Sequence, residues 1–213
     1  QMRKFAVALP PAMSEALDTC GTGGDGSRTI NLSTLAAIVL SSMGVPIVKH
    51  GNRSVSSSCG SADLLEGLGF PLDLTPGQAG SLFDKIRFTF LFAPLYHPAM
   101  KNVAPVRKAR QVRTIFNFLG PLANPAKVLY QVVGVPSADR VRPFAEVLKK
   151  LGLKSAMVVY GEPGMDEMSP CGKSQVSYFL DQDRILDMSV TPADLGCAAV
   201  RTDRLVVSGI EEA

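Results

Sequence analysis

Short apolar runs alternate along the chain with longer segments whose apolar positions recur every three or four residues. The runs ALDTCG, VPIVKHG, FTFLFAP, YQVVGV and SAMVVYG predict buried strands, because each is short and ends close to a glycine or proline. From Leu32 to Met43 the apolar spacing is helical, and Gly44 predicts the end of that helix. Thr75 and Pro76 predict the start of another helix, and SADRVRPFAEVLKKLG has the pattern of an amphipathic helix. This alternation favours an α/β fold with a largely parallel central sheet flanked by helices.

Three polar turns follow predicted strands, namely GTGGDG, KHGNRSVSSSCGSAD and GEPGMDEMS. The carboxyl ends of parallel strands meet at one edge of a sheet, and ligands of such sheets bind beyond that edge. The sequence therefore predicts that the three turns converge on a single crevice.

The composition narrows the classes of protein to which the chain can belong. Its 213 residues, 46% of them hydrophobic, are enough for one α/β domain over residues 1–213. The net charge is +3 without a basic run, which argues against a nucleic-acid partner. Four scattered cysteines and only two histidines argue against zinc and favour reduced thiols in the cytoplasm. The most apolar stretch, LSTLAAIVLSSMGVPIV, is too short and too rich in serine to predict a membrane span.

The first turn, GTGGDG, leads from a predicted strand into a predicted helix. Its glycines allow backbone N–H groups to bind an anion at the helix N-terminus, although an ordinary tight turn is the alternative. The spacing fits neither GxxxxGK[ST] nor GxGxxG, which argues against a nucleoside triphosphate or a dinucleotide. Asp25 would repel a phosphate unless a divalent cation lay between them or sugar hydroxyls donated hydrogen bonds to the acid.

The second turn places Lys49, His50 and Arg53 directly after a buried strand, together with several serines and an asparagine. A solvated polar loop is the alternative, but the position at a strand end and the expected positive charges favour phosphate binding.

The third turn contains two adjacent carboxylates, Asp166 and Glu167. On an exposed turn they would only be solvated, whereas opposite a diphosphate they fit the oxygen ligands that Mg²⁺ prefers.

A fourth segment, from FLFAP to LANPA, contains His97 and Arg107. Taken alone, both side chains are more often structural than catalytic, although a guanidinium can pair with a planar carboxylate through two parallel hydrogen bonds.

Together these motifs resemble those of the anthranilate phosphoribosyltransferase family. GTGGDG, NLST, KHGNR, GSAD, FLFAPxxHPAM, RTIFNxLGPLxNP and GMDE occur in that family's order and spacing, from Asp18 to Ser169. The resemblance implies a glycosyltransferase of tryptophan biosynthesis that uses Mg²⁺. It would transfer the phosphoribosyl group of phosphoribosyl pyrophosphate to the amine of anthranilate and release pyrophosphate.

Matching motif positions imply three sets of site residues. The donor-binding residues would be Gly21, Gly24, Asp25, Thr29, Asn31, Leu32, Ser33, Thr34, Lys49, His50, Gly51, Asn52, Arg53, Ser54, Val55, Ser56, Ser57 and Ser61. Anthranilate would contact Gly21, Asn52, His97 and Arg107, and the Mg²⁺ ligands would be Ser33, Asp166 and Glu167. No general base is required, because the aromatic amine is uncharged near neutral pH and positioning supplies much of the acceleration.

Members of the family begin with several helices that form a small α domain and commonly the dimer interface. Most of that domain is expected to be missing here, and the chain is expected to be truncated at both ends. Residues 98–113 predict a helical segment that could belong with the missing domain. Dimerisation and activity of the chain alone remain open.

Two alternatives remain at this point. A pyrimidine nucleoside phosphorylase has a similar fold, but its phosphate loop carries a lysine before the glycines, and here Thr19 and Cys20 precede Gly21. The other alternative is a catalytically silent remnant that binds phosphate compounds or a partner.

Overall fold

The structure is a computed structural model that describes residues 2–23, 29–54, 59–102, 115–207 and 209. Six of the predicted site residues lie outside these ranges, namely Gly24, Asp25, Val55, Ser56, Ser57 and Arg107. The predicted helical segment 98–113 is described only as far as residue 102, where a 3-10 helix covers Pro98–Asn102.

A seven-stranded sheet organises the described residues, in the order β3-β2-β1-β4-β5-β6-β7. Its strands are β1 (Leu17–Gly21), β2 (Ile47–Gly51), β3 (Phe88–Phe92), β4 (Tyr130–Gly134), β5 (Ser155–Gly161), β6 (Ser174–Phe179) and β7 (Leu186–Val190). The pairs among β1 to β5 are parallel, whereas β6 and β7 add an antiparallel edge.

Six α-helices connect or flank these strands within the described ranges. They are α1 (Leu32–Ser42), α2 (Ser61–Gly67), α3 (Pro76–Ile86), α4 (Ala93–Tyr96), α5 (Phe116–Leu119) and α6 (Val141–Lys150). Short 3-10 helices cover Met2–Lys4, Pro11–Glu15, Pro98–Asn102, Pro121–Ala123, Ala138–Arg140, Pro192–Leu195 and Thr202–Arg204. None of the described helices is both long enough and apolar enough to cross a membrane.

The predicted α/β fold is confirmed. All five parallel strands fall within the predicted runs, α1 covers the predicted helix, and α3 begins at Pro76 after a cap formed by Thr75. Strands β6 and β7 were not predicted. Both contain more polar residues than the five apolar runs, as SQVSYF in β6 and LDMSV in β7, and β7 is exposed at four of its five positions.

Both faces of the sheet are covered, because successive side chains of a strand point to opposite faces. Ile47 packs with Ala37 of α1, whereas its neighbour Val48 packs with Phe83 of α3 on the other face. On β4 to β6, the apolar side of α6 covers the sheet, with Leu148 in the cluster.

The direction in which successive strands are added across the sheet reverses after β3. From β1 the chain continues outward to β2 and β3, and it then returns to place β4 on the other side of β1. Gly21 and Gly134 are register partners at the carboxyl ends of these two strands. Open α/β sheets bind ligands at such a reversal point, so this edge is where a site is expected.

A buried carboxylate, Asp18, joins several parts of the sheet. It accepts hydrogen bonds from the backbone N–H of His50 (3.2 Å), Asn124 Nδ2 (2.9 Å) and Gln131 Nε2 (3.3 Å). Burial raises the pKa of Asp18 to about 6, against the opposing effects of the Lys49 charge and these hydrogen bonds. The network therefore ties β1, β2 and β4 to the segment that precedes β4.

We expect the stability of the wild type relative to Asp18→Asn to depend on pH. Folded Asp18 keeps its proton up to a pH of about 6, whereas the ordinary pKa of the side chain is 3.8. The folded state then binds more protons than the unfolded state between these values, so the relative stability falls as the pH rises through this window. The slope should be at most about 1.4 kcal/mol per pH unit.

Urea unfolding of both proteins between pH 4 and pH 7 measures this difference. Burial lowers the pKa of His50 from 6.5 to about 3, so His50 stabilises both proteins as the pH rises through this range, and its contribution cancels in the difference between them. A difference that stays constant with pH would contradict the assignment of Asp18 as a buried carboxylate with a raised pKa.

Candidate active site

The first and third turns are in direct contact at the carboxyl edge of the sheet. The backbone N–H of Gly23 donates a hydrogen bond of 2.6 Å to Oδ2 of Asp166. A Cβ atom at Gly21 would lie only 2.3 Å from the same Oδ2. Asp166 is buried, so its carboxylate is held against the end of β1 rather than displayed in solvent.

Lys49 of β2 is fully buried and reaches the start of α1. Its Nζ donates to the backbone carbonyl of Thr19 (2.5 Å) and to Oγ of Ser33 (3.0 Å). Burial lowers the pKa of Lys49, while the negative charges of Asp18 and Glu167 oppose that shift. The ammonium group, the Ser33 hydroxyl and the acidic turn therefore belong to one neighbourhood.

Helix α1 begins at this neighbourhood. Asn31 is its N-cap, and the Asn31 Oδ1 accepts hydrogen bonds from the Thr34 N–H (3.1 Å) and the Ser33 hydroxyl (3.3 Å). Thr19 Oγ1 donates to the Ser33 carbonyl (2.8 Å), which fixes the helix start to β1. An N-terminus so placed adds partial positive charge where the turns meet.

The acidic turn is held by its own polar contacts. The N–H of Ser169 donates to the Ser174 hydroxyl (2.8 Å), and the Ser169 hydroxyl donates to the Glu162 carbonyl and accepts from the Cys171 N–H (3.0 Å). The N–H of Gly161 donates to the carbonyl of Met165 (3.0 Å), which is buried. The position of the two carboxylates is thus set by the end of β5 and the start of β6.

The potential metal ligands at this edge fit Mg²⁺ better than a metal ion that needs all of its ligands from the protein. No cluster of three or more His, Cys, Asp or Glu side chains suited to a metal is present among the described residues. Magnesium is commonly held by one or two carboxylates, with waters and substrate phosphates completing the shell. Asp166 and Glu167 are carboxylates of the kind that such a site uses, and the Ser33 hydroxyl, which accepts a hydrogen bond from Lys49, lies at the same edge.

The second turn differs from the expectation that Arg53 and His50 supply positive charge to the crevice. Arg53 donates to Asp63 (2.9 Å) and to Glu66 (2.7 and 2.8 Å), so its charge is already paired by α2. The pattern of charges in the sequence did not identify Asp63 or Glu66 as partners, because the loop brings them together across ten or more positions.

His50 and His97 lie against each other, with ring centroids 5.0 Å apart in an edge-to-face arrangement. Both are buried. Burial, followed by the neighbouring His97 and Lys49, lowers the pKa of His50 to about 3, and burial also lowers the pKa of His97. Both imidazoles are therefore neutral near pH 7 and contribute ring surface rather than charge.

The remaining predicted residues surround the same edge. Thr29 pairs with Val206 in an isolated bridge, Leu32 is the first residue of α1, and Gly51 ends β2. Asn52 and Ser54 follow β2, and Ser61 begins α2. The described members of the three predicted sets thus lie at or near strand ends and helix ends, apart from Thr29, which lies in the isolated bridge.

Asp63 organises the second turn, although sequence reasoning did not select it. Its carboxylate accepts the N–H groups of Ser54 and Gly60, both at 3.0 Å, and the Arg53 guanidinium. Partial burial raises the pKa of Asp63, but these hydrogen bonds outweigh that effect and lower it overall.

We expect Asp63→Ala to destabilise the protein by about 1–2 kcal/mol, because the backbone N–H groups of Ser54, after β2, and Gly60, the N-cap of α2, lose their acceptor. Urea unfolding near neutral pH measures the change. Asp84→Ala, at an exposed position of α3, is the matched control and should change stability by less than about 0.5 kcal/mol. Equal effects of the two substitutions would show that Asp63 does not organise the turn.

The sheet and the turns at its reversal point define an α/β protein with a candidate ligand site at the carboxyl edge of parallel strands. The chain belongs to the glycosyl transferase family, a/b domain, which its residues 13–213 match. The resemblance stated from the motifs is confirmed at the level of this family.

Within this family, the chain is similar to individual enzymes that share one name. The chain is 50% identical over 210 residues to the anthranilate phosphoribosyltransferase of Ignicoccus hospitalis, covering 98% of this chain and 61% of that protein. It superimposes on the anthranilate phosphoribosyltransferase of Thermus thermophilus with a TM-score of 0.90 and 44% identity, covering 99% of this chain and 62% of the other.

The yeast enzyme of the same name, solved in complex with PRPP and Mg, matches with a TM-score of 0.88 and 33% identity. That match covers 99% of this chain and 58% of the yeast chain. The yeast enzyme has also been solved with 4-fluoroanthranilate. The present chain thus spans about three fifths of the length of these relatives.

Proposed function

We propose that this chain carries the donor-binding part of an anthranilate phosphoribosyltransferase. The observation that carries the proposal is the meeting of three turns, in which Asp166 binds the Gly23 N–H while Lys49 binds Ser33. The relatives described above support the transferase over a pyrimidine nucleoside phosphorylase. They also indicate the compounds that we propose for the site, because the yeast enzyme binds PRPP, Mg and 4-fluoroanthranilate.

The donor would lie at the edge of the sheet where the first turn and the acidic turn meet. Mg²⁺, held by Ser33, Asp166 and Glu167, would lower the charge repulsion between the carboxylates and the diphosphate and stabilise the departing pyrophosphate. The Lys49 ammonium, anchored to Ser33, would face the same negative charge. Burial of Lys49 strengthens that interaction, because the local dielectric is low and the group is already fixed in place.

The phosphate and sugar would be bound by backbone groups and hydroxyls of the same edge. The proposed donor-binding residues in the described ranges are Gly21, Thr29, Asn31, Leu32, Ser33, Thr34, Lys49, His50, Gly51, Asn52, Arg53, Ser54 and Ser61. The N-terminus of α1 contributes a partial positive charge that would attract the phosphate.

Anthranilate would approach from the side of β2 and β3. Its proposed contacts are Gly21, Asn52, His97 and Arg107, with the neutral ring of His97 suited to an aromatic acid. A guanidinium could pair with the carboxylate of the acid. Because the aromatic amine is uncharged near neutral pH, orientation of the amine towards the anomeric carbon would suffice without a general base.

The proposal predicts Mg²⁺-dependent binding of phosphoribosyl pyrophosphate to the chain. At a ligand concentration 100 times the Kd, binding should raise the free energy of unfolding by about 2.7 kcal/mol. Thermal unfolding with and without Mg²⁺ measures this, and loss of anthranilate fluorescence reports turnover where the chain suffices for it. A folded chain that is not stabilised by the donor with Mg²⁺ would favour a silent remnant, and phosphorolysis of thymidine would favour the phosphorylase.

The acidic pair should be required for the Mg²⁺-dependent part of donor binding. We expect Asp166→Asn combined with Glu167→Gln to weaken that binding by roughly 10-fold or more, because neutralising two charged metal ligands removes about 1.4 kcal/mol or more of interaction. Asp84→Asn combined with Glu146→Gln removes two exposed carboxylates from helices and serves as the matched control. Equal donor affinity in the two double variants would exclude the acidic pair as metal ligands.

A further inference from the structure

Three neighbouring parallel strands carry a glycine at or near their carboxyl ends, and the acidic turn lies directly over all three. They are Gly21 of β1, Gly134 of β4 and Gly161 of β5. A Cβ added to any of them would overlap atoms of residues 166–169.

The closest approach is at Gly134. A Cβ atom there would lie 1.4 Å from the carbonyl oxygen and 2.3 Å from the carbonyl carbon of Asp166. Gly134 does not have a left-handed backbone conformation, so its φ angle does not require glycine. The lack of space for a side chain does. The obstacle is backbone, which no change of side-chain rotamer can move.

The acidic turn has little freedom to retreat from a methyl group on β4. Non-bonded carbon atoms need roughly 3.5 Å, so the Asp166 carbonyl would have to move by on the order of 2 Å. Such a shift would strain the Gly23–Asp166 hydrogen bond of 2.6 Å and the bond from the Gly161 N–H to Met165. The turn is also tied to β6 through Ser169 and Ser174.

We propose that Gly134 is a positioning residue of the donor site. It has no side chain, so the Asp166 backbone rests on the end of β4, and this contact sets where the Asp166 and Glu167 carboxylates face the first turn. The importance of this position for the donor rests on the proposed function. Gly134 acts through Asp166 and needs no contact with the donor itself.

The test compares Gly134→Ala with Gly77→Ala. Gly77 lies in α3, and a Cβ there would meet no atom within 4 Å, so this control adds the same methyl group without a clash. The first readout is the backbone amide resonance of Gly23 in a nitrogen–proton NMR spectrum of the protein without ligands. We expect Gly134→Ala to shift this resonance strongly and Gly77→Ala to leave it in place.

The second readout is donor affinity, measured by calorimetry over a series of Mg²⁺ concentrations. Displacement of the Asp166 and Glu167 carboxylates removes part of the Mg²⁺-dependent interaction, so we expect Gly134→Ala to weaken donor binding by roughly 10-fold at saturating Mg²⁺. The Mg²⁺ concentration at half-maximal donor binding should also rise. A substitution that only loosened the fold would not raise this Mg²⁺ requirement.

The two readouts separate failure of this inference from failure of the proposed function. A wild type that binds no donor with Mg²⁺ refutes the function, whereas the Gly23 resonance still tests the positioning by Gly134. An unchanged Gly23 resonance, or an unchanged Mg²⁺ requirement in a wild type that does bind donor, would overturn the inference.

A second variant covers the case in which Gly134→Ala does not fold. Gly161→Ala would place its methyl 2.5 Å from the Glu167 carbonyl oxygen and should displace the same turn from the neighbouring strand. The Gly23 resonance and the donor affinity of Gly161→Ala then test whether these strand-end glycines position the acidic turn. If neither variant folds while Gly77→Ala does, these glycines serve the fold alone and the inference is wrong.

Discussion

The candidate site depends on one steric condition, which is that the acidic turn can lie in contact with the ends of β1 and β4. Gly21 and Gly134 are register partners, and a Cβ on either would overlap Asp166. The contact lets Asp166 accept the Gly23 N–H, and this hydrogen bond joins turns that are more than 140 positions apart in the chain. Without that space, the strands would still form a parallel sheet, but the carboxylates would lie away from the first turn.

Charge is arranged around this contact by burial. Lys49 and Asp18 are fully buried, and each ionisable group is surrounded by hydrogen-bonding partners that reduce the cost of desolvation. His50, next to Lys49 in sequence, is instead held neutral. Among the described residues of this edge, Lys49 is a fixed cation near Glu167, and the neutral imidazoles of His50 and His97 lie against each other on the side of β2 and β3. This arrangement fits the proposed anionic donor and aromatic acceptor.

Much of this organisation could be predicted from the sequence, because strand and helix periodicity, capping residues and glycine turns are local signals. The runs ending at Gly21, Gly51 and Gly161 predicted strands whose carboxyl ends share one edge of the sheet, and β1, β2 and β5 end there. The remaining features depend on contacts between distant positions. Nothing in the local pattern of YQVVGV separates Gly134 from an ordinary strand glycine, and the pairing of Arg53 with Asp63 and Glu66 depends on how the loop folds back on α2.

Asp18 illustrates a signal that is present in the sequence but difficult to interpret. A carboxylate inside the apolar run ALDTCG is unusual, because burial without partners would be costly. The partners come from Asn124 and Gln131, more than 100 positions away, and they connect the segment before β4 to the centre of the sheet. Since that same carboxylate also accepts the His50 N–H, a change at Asp18 would reach both His50 and the segment before β4. Strands β1 and β2 thus connect the buried network around Asp18 to the edge where Asp166 contacts the first turn and Lys49 contacts Ser33.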